Sequence, residues 1–178
     1  MATDFYVNLF SAQGNTDPGL VTQFVPPKVT TAMNSMLCAP FTPEEIENAL
    51  FMMGPNKSPG SDGFTVGFYQ KHWDILKDDV CDAVLNFLNG GDMQTFVNST
   101  VLVLIPKIKN SQEMTHFRPI ALCNVLYKIC SKVMANILQL ILDDIIFEEQ
   151  SVFVPGRSIT DNILVAYVHV HYLKRKKR

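Results

Sequence analysis

The sequence has 178 residues, and 47% of them are hydrophobic, which is enough for one domain with a core or for a piece of a larger domain. The formal net charge is −2, which excludes a generally basic, histone-like binder, so any contact with nucleic acid must come from local clusters of cations. No signal peptide opens the chain and no apolar run approaches a membrane span, so we expect an intracellular protein of the nucleus or cytoplasm without a membrane partner.

Four cysteines and four histidines are spread along the chain without a CxxC pair and without a histidine at zinc-ligand spacing. We therefore expect no metal site and, in a reducing compartment, no disulfide partner. The histidines lack a neighbouring Ser, Cys or carboxylate pattern, which favours structural or surface roles for them.

Residues 1–40 contain short apolar groups separated by Ser, Gly, Asn, Asp and Pro, which predicts a linker with one or two short helices. A helix start follows, because Thr42 can cap it, Pro43 fits its first turn and Glu45 completes a capping box. Gly54 then ends this helix. Apolar residues at helical spacing predict its buried side: Ile46, Ala49, Leu50 and Met53.

The stretch GPNKSPGSDG, residues 54–63, has three glycines and two prolines and is predicted to be a loop. Its glycines would let a nucleic-acid strand approach the backbone closely, but the GK[ST] spacing of a phosphate-binding P-loop is missing; taken alone, the stretch is a turn. A second helix is predicted over 64–88, ended by Gly90 and Gly91. An apolar stripe predicts its core side: Phe68, Trp73, Leu76, Val80, Val84 and Leu88.

The centre of the chain pairs two apolar runs, Val101–Ile105 and Pro119–Leu122, across a polar connection, which predicts an antiparallel hairpin. A cation stands beside each run, Lys107 beside the first and Arg118 in front of the second. Lysine supplies a point charge and arginine a planar fork, so together they suit a triphosphate or a nucleic-acid backbone. The alternative is a hairpin whose surface charges are merely solvated.

A long helix is predicted from a cap at Asn124 through Ile146. Its predicted buried side is Val125, Ile129, Val133, Ile137, Leu140 and Ile141, with Cys123 and Cys130 as core thiols. Pro155, Gly156 and Arg157 then predict a turn with a cation at its tip. The last helix, capped by Thr160 or Asp161, runs into the basic tail LKRKKR. This tail is a candidate cation cluster for nucleic-acid contact, and the alternatives are a solvated helix end or a nuclear localisation signal.

Metal-dependent nucleotidyl transfer needs carboxylates that converge on a pair of ions. The chain has adjacent acidic pairs at 78–79, 143–144 and 148–149, in helical periodicity or at a helix end. Neighbours on a helix point about 100° apart and do not share an ion. Ser58 and Ser61 lack the spacing of a nucleophile elbow. The sequence therefore predicts binding groups without a catalytic centre.

Several motifs share one order and spacing with a known family: FTPEEIENAL, KSPGSDGF, FYQKHW, NSTVLVLIPK, FRPIALCNVLYKICSKVMAN, EEQSVFVPGR and ITDNILVAYVHVHYLKRKKR. Together they resemble the front part of the reverse transcriptase domain of plant non-LTR (LINE-type) retrotransposons. The resemblance implies an α+β fold: a mostly helical, partial right-hand polymerase, its fingers and the start of its palm, with a short antiparallel hairpin. Residues 1–40 would lead into this domain and residues 41–178 would be its partial copy.

The resemblance also implies roles for individual residues. Lys107 and Arg118 match the fingers hairpin near the incoming nucleotide. The residues that match motifs associated with the template strand are Lys57, Gly60, Gln150, Gly156 and Arg157. The implied partners are an RNA or DNA template and a dNTP, and Mg²⁺ is expected only for a complete family member.

Two departures bear on activity. The catalytic aspartates of the family follow the last matched helix, so none of them matches a residue of this chain. Ile137 stands where the family usually has Arg, and Val168 where Glu is common. We therefore expect a truncated reverse transcriptase fragment that is inactive alone. The alternatives are a non-catalytic RNA- or DNA-binding module, or a relic that does not fold stably.

Overall fold

The computed structural model of the chain describes residues 2–12, 14, 17–147, 150, 151, 154 and 156–176. The fold is α+β, mostly helical, with a two-stranded antiparallel sheet, which confirms the predicted fold class. The elements are α1 (Ala2–Phe10), α2 (Gly19–Thr22), α3 (Thr31–Leu37), α4 (Pro43–Phe51), α5 (Val66–Lys71), α6 (Trp73–Leu88), β1 (Val101–Pro106), β2 (Phe117–Leu122), α7 (Val125–Gln139), α8 (Leu142–Ile145) and α9 (Ile159–Lys176).

The contacts of the described residues divide the chain into two units. The first unit holds residues 1–26 and 40–134, and the second holds residues 27–39 and 135–178. The boundary at residue 40 between a linker and a polymerase domain, and the right-hand polymerase architecture, stay predictions.

Helix α4 begins with the predicted capping box. The Thr42 hydroxyl accepts the backbone N–H of Glu45 at 3.3 Å, and the Glu45 carboxylate accepts the backbone N–H of Thr42 at 2.8 Å. These bonds satisfy amides that the first turn leaves without helical partners. The helix ends at Phe51, three residues before the predicted stop at Gly54. Its buried residues are Ile46, Ala49 and Leu50.

The helix predicted over 64–88 is two helices, because the backbone at His72 leaves helical geometry with φ −108° and ψ 22°. Thr65 starts α5 by accepting the backbone N–H of Phe68 at 3.3 Å. Trp73, Val80 and Val84 of the predicted stripe are buried, but Phe68 is 37% exposed. The prediction is wrong at Phe68 because its ring packs at the surface, 4.7 Å from the centroid of Phe64.

The predicted hairpin is confirmed. Strands β1 and β2 pair in antiparallel register from Val101 opposite Leu122 to Pro106 opposite Phe117. The backbone N–H of Lys107 donates to the carbonyl of His116 at 2.8 Å, which adds one more bond at the turn end. All of these residues belong to the first unit.

Helix α7 ends at Gln139, and the short helix α8 follows it, so the single helix predicted through Ile146 is wrong. The predicted buried side holds at Val125, Ile129 and Val133, and Cys130 is also buried. Leu140 lies after the end of α7 and is 66% exposed, because the helical spacing that would bury it has stopped.

The second unit contains α3, the end of α7 from residue 135, α8 and α9. Ser158, and not Thr160 or Asp161, precedes α9, and its hydroxyl accepts the backbone N–H of Thr160 at 3.2 Å. The predicted cap is therefore wrong by two or three residues. Helix α9 exposes its large apolar side chains, for example Tyr167 at 67%. Within the described ranges no helix has both the length and the apolar character to cross a membrane.

Candidate nucleic-acid interface

One side of the hairpin forms an exposed apolar surface. Paired residues of an antiparallel ladder point to the same face, and so do alternate residues of each strand. The register therefore groups six side chains, named the hairpin face below: Val101, Val103, Ile105, Arg118, Ile120 and Leu122. Four of its five aliphatic members, Val101, Val103, Ile105 and Ile120, are 39 to 48% exposed.

The opposite side of the hairpin borders helix α1. Leu102 and Leu104 line a cavity of about 550 Å³ together with Tyr6, Val7 and Phe10 of that helix. Tyr6 is buried there. Leu102 of this side is nevertheless 49% exposed, so both sides of the hairpin are partly open, and α1 borders one of them.

Cations gather at the turn end of the hairpin face. Arg118 pairs directly with Ile105 on the hairpin face, and Lys107 directly follows the end of β1. Lys109 lines the same shallow cavity of about 560 Å³ as Lys107. Glu113 is the single carboxylate of residues 101–122, so this end of the hairpin is positive.

The two predicted cations differ in what they contact. The ammonium of Lys107 donates to the carbonyl of Thr115 at 2.9 Å, so it rests on the hairpin's own connection. Arg118 is exposed, and its guanidinium makes no hydrogen bond or ion pair with the described residues. Lys109 was missed from the sequence, although its spacing of two from Lys107 is a usable signal.

The other end of the hairpin face, where Val101 pairs with Leu122, lies beside residues 57–63, which we call the glycine-rich loop. Leu122 lines a cavity of about 300 Å³ with Met53, Lys57, Ser58 and Lys128. Lys57 is exposed, and the ammonium of Lys128 donates to the carbonyl of Ser58 at 2.6 Å. The hairpin face therefore has cations near both ends, Lys107 and Arg118 at one and Lys57 and Lys128 at the other.

Gly60 lies against the start of α7. A Cβ at this position would stand 2.0 Å from Oδ1 of Asn124 and 2.5 Å from its backbone nitrogen, so only glycine fits. Asn124 is 2% exposed, and its Oδ1 accepts from the hydroxyl of Ser61 and the backbone N–H of Asp62, both at 3.4 Å. Its amide nitrogen donates to the carbonyls of residues 96–97, at 2.8 and 3.3 Å. A template contact for Gly60 stays a prediction.

Arg157 of the second unit is engaged by its own chain. Its Nη1 donates to the carbonyl of Phe147 at 2.6 Å and to that of Gln150 at 3.1 Å. Its Nη2 donates to Oδ1 of Asp143 at 3.3 Å, and the side chain is 20% exposed. The guanidinium therefore ties the turn that ends at Arg157 to α8 and to the segment that follows α8.

Gly156 adopts φ +77°, a left-handed conformation that favours glycine. Pro155 of the predicted turn lies outside the described residues. The basic tail is described as far as Lys176, and its last two cations lie outside as well. Template roles for Gln150, Gly156 and Arg157 stay predictions, and these three residues belong to the second unit while the other predicted site residues belong to the first.

The side chains whose pKa departs clearly from its ordinary value lie outside the hairpin face. Burial raises the pKa of the Cys130 thiol to about 11. The hydrogen bond from Lys77 lowers the pKa of Glu47. The four cysteines are free thiols. In the part of the chain that the structure describes, no three His, Cys, Asp or Glu side chains form a group suited to a metal ion.

No protein-family model matches the chain. The sequence is similar to a transposon protein over 98% of its length. That relative is the Transposon TX1 uncharacterized 149 kDa protein of Xenopus laevis, 33% identical over 176 residues. The chain spans 13% of the relative's length. The similarity supports an origin of the chain in a transposable element.

Proposed function

We propose that the chain is part of the reverse transcriptase domain of a LINE-type, non-LTR retrotransposon of the plant type, and that it supplies the fingers and the start of the palm. Two findings support this proposal. The similarity to a transposon protein extends over 98% of the chain. The α+β fold also presents the motif residues Lys107 and Arg118 at one end of an antiparallel hairpin.

Within that domain, the proposed role of this chain is to bind single-stranded template and the incoming dNTP. The observation that carries the role is the hairpin face, an exposed apolar surface with cations near both ends. Six residues of strand rise about 20 Å, enough for several nucleotides to lie along it. Lysine and arginine bind phosphates. The hairpin face has no aromatic side chain for base stacking, so its aliphatic residues offer apolar contact and Arg118 offers its planar guanidinium.

Magnesium would neutralise phosphate charge and activate the attacking hydroxyl in a complete polymerase. The carboxylates described in this chain do not fit such a role. Asp78 and Asp79 are neighbours on α6, where they point about 100° apart, and Asp143 is bonded to Arg157. No metal-dependent step is assigned to this chain, and the proposal is binding without catalysis.

Salt-dependent binding tests the role of the hairpin. We expect affinity for a U-rich RNA of about 20 nucleotides, measured by fluorescence anisotropy, to fall as salt rises from about 50 to 200 mM. The double variant Lys107→Ala, Arg118→Ala should flatten the slope of log affinity against log salt by about 1.4, since each single-strand phosphate contact contributes about 0.7.

A matched control removes the same amount of charge elsewhere. The double variant Lys71→Ala, Lys77→Ala lies on α5 and α6 and should leave the slope within about 0.3 of the unsubstituted chain, since neither residue is in the proposed interface. An unchanged slope in the hairpin variant would contradict the proposed role. So would a slope that disappears when the tail cations 174–178 alone are removed.

Primer extension tests the proposed absence of catalysis. We expect the purified chain to add no nucleotides to a primer on an RNA template with either Mg²⁺ or Mn²⁺. Detectable extension that resists further purification would contradict the proposal.

A second candidate is a relic that does not fold stably by itself. The exposed apolar side chains of α9 and the open edges of the hairpin favour it, because such surfaces promote aggregation. Size-exclusion chromatography with urea unfolding separates the two. A monomer that unfolds cooperatively supports the binding module, and an aggregate without a transition supports the relic.

A further inference from the structure

We propose that Asn124, which directly precedes α7, and Lys128, in the first turn of α7, are positioning residues. They hold the glycine-rich loop 57–63 against the start of α7, beside Leu122 of the hairpin face, so that Lys57 can contact single-stranded nucleic acid. The inference rests on the proposed function, because it says how one part of the proposed interface is kept in place. Neither residue was assigned a role by the motifs in which it stands.

The Asn124 amide uses its full hydrogen-bonding capacity. A carboxamide has two donor hydrogens and two acceptor lone pairs. Oδ1 accepts two bonds from residues 61–62 of the loop, and the amide nitrogen donates two bonds to the carbonyls of residues 96–97. Because both ends of the buried amide are engaged, one orientation satisfies every bond. Asn124 therefore ties the loop to the segment that leads into β1.

Lys128 holds the other end of the same loop. It follows Asn124 by four residues, and its backbone N–H donates to the Asn124 carbonyl at 3.1 Å, so the two residues lie one turn apart at the start of α7. Its ammonium donates to the carbonyl of Ser58 at 2.6 Å. An ammonium has three donors, and this bond uses one of them. Lys128 thus fixes the residue that directly follows Lys57 and adds a second positive charge to the cavity that both lysines line.

Gly60 lies between the two attachment points. Lys128 holds Ser58 and Asn124 holds residues 61–62, so the middle of the loop is drawn onto the helix start, where a Cβ would clash. With the loop held by α7, the ammonium of Lys57 makes no hydrogen bond or ion pair within the described chain. The helix supplies the attachment and Lys57 supplies the free charge.

The test uses the full chain and two readouts, hydrogen exchange of the loop amides and anisotropy with the U-rich RNA. In Lys128→Met we expect amides of the loop to exchange at least about fivefold faster, because losing the tether opens the loop. RNA affinity should fall about fivefold. Lys128→Arg keeps a donor and the charge, and should restore both readouts to within about twofold.

A double-variant cycle separates positioning from charge alone. If Lys128 acts by placing Lys57, Lys128→Met should cost less affinity in a Lys57→Met background than in the unsubstituted chain. Fully additive losses would overturn positioning in favour of two independent charges. Asn124→Ala removes the acceptor of the Asp62 backbone N–H, so that amide should exchange faster.

The outcomes distinguish this inference from the proposed function. Unchanged loop exchange in Lys128→Met overturns the inference, even if the RNA binds and the hairpin variant flattens the salt slope. Faster exchange with full RNA affinity overturns it as well. If the unsubstituted chain does not bind the RNA at all, the proposed function fails and the inference fails with it, whatever the exchange rates are.

Discussion

The loop at residues 57–63 and the turn that ends at Arg157 look alike in sequence, since each combines glycine with a nearby cation, but they use that cation differently. In the first, Asn124 and Lys128 hold the loop and the side chain of Lys57 stays exposed. In the second, Arg157 itself donates three hydrogen bonds to earlier residues of its own unit, Phe147, Gln150 and Asp143 of α8. Of these two segments, the one whose backbone is held by other residues is the one whose cation is free for a ligand.

The chemistry of the two side chains fits this difference. The arginine fork can bind two carbonyls and a carboxylate at once, which suits a role inside a turn. A lysine ammonium on a flexible stem is a better reversible contact for a phosphate.

The largest expected effect comes from Gly60→Ala. The added methyl would meet the backbone of Asn124 at 2.5 and 2.7 Å, which side-chain rotation does not relieve. We expect the free energy of unfolding in urea to fall by about 3 kcal/mol.

Gly63→Ala is the matched control, because Gly63 has open space around it but adopts φ +76°. It should cost about 1 kcal/mol from backbone strain alone. Equal costs for the two variants would mean that α7 does not hold the loop.

Arg157→Met should have the next largest effect. It removes three charge-assisted hydrogen bonds from a side chain that is 20% exposed, and we expect it to lower the unfolding free energy by about 2 kcal/mol. Arg118→Met should change it by less than about 0.5 kcal/mol, because that side chain is exposed. For RNA affinity we expect the opposite, since Arg118→Met should lower it more than Arg157→Met does. An Arg157 variant of normal stability and weak RNA binding would remove the contrast between the two regions.

Lys57→Met should leave stability unchanged within about 0.5 kcal/mol and lower RNA affinity about threefold at low salt. Urea unfolding and anisotropy on the same preparation provide both values. A loss of stability as large as that of Arg157→Met would show that Lys57 also holds its own turn.

The smallest effect concerns an exposed ion pair in the first unit, between Lys77 and Glu47 at 2.8 Å. The hydrogen bond from Lys77 lowers the pKa of Glu47 in the folded chain. The ion pair therefore stabilises the folded chain above the unfolded pKa of glutamate, and this stabilisation is lost as pH falls through the lower, folded pKa. Between neutral pH and that range, Glu47→Gln should lose less stability on acidification than the unsubstituted chain. Parallel acid titrations followed by circular dichroism would check this.

The features that were predictable from sequence are local. The capping box at Thr42 and Glu45 lies within four residues, and the hairpin follows from two β-branched runs around a polar connection. No Gly or Pro stands next to His72, so the sequence does not indicate the break between α5 and α6. Arg157 could be recognised as a cation near a turn, but its partners were not visible, because backbone carbonyls have no sequence signature.

The holding role of Asn124 was also beyond sequence reasoning. An asparagine before a helix predicts a cap, and the bonds that it makes instead reach residues 63 and 28 positions away. In the sequence, Lys128 is indistinguishable from an ordinary helix cation, because its partner Ser58 is 70 residues earlier. Predicting such bonds requires the tertiary arrangement itself.

These separations also bear on the order of events during synthesis. When the loop leaves the ribosome, its two attachment points at the start of α7, Asn124 and Lys128, have not yet been translated, and they follow 63 and 70 residues later. At about 5 to 20 residues per second, the loop waits several seconds for its partners. Its glycines and Lys57 are accessible to proteases and chaperones throughout that interval, and the nascent chain becomes protected there only after Lys128 has emerged.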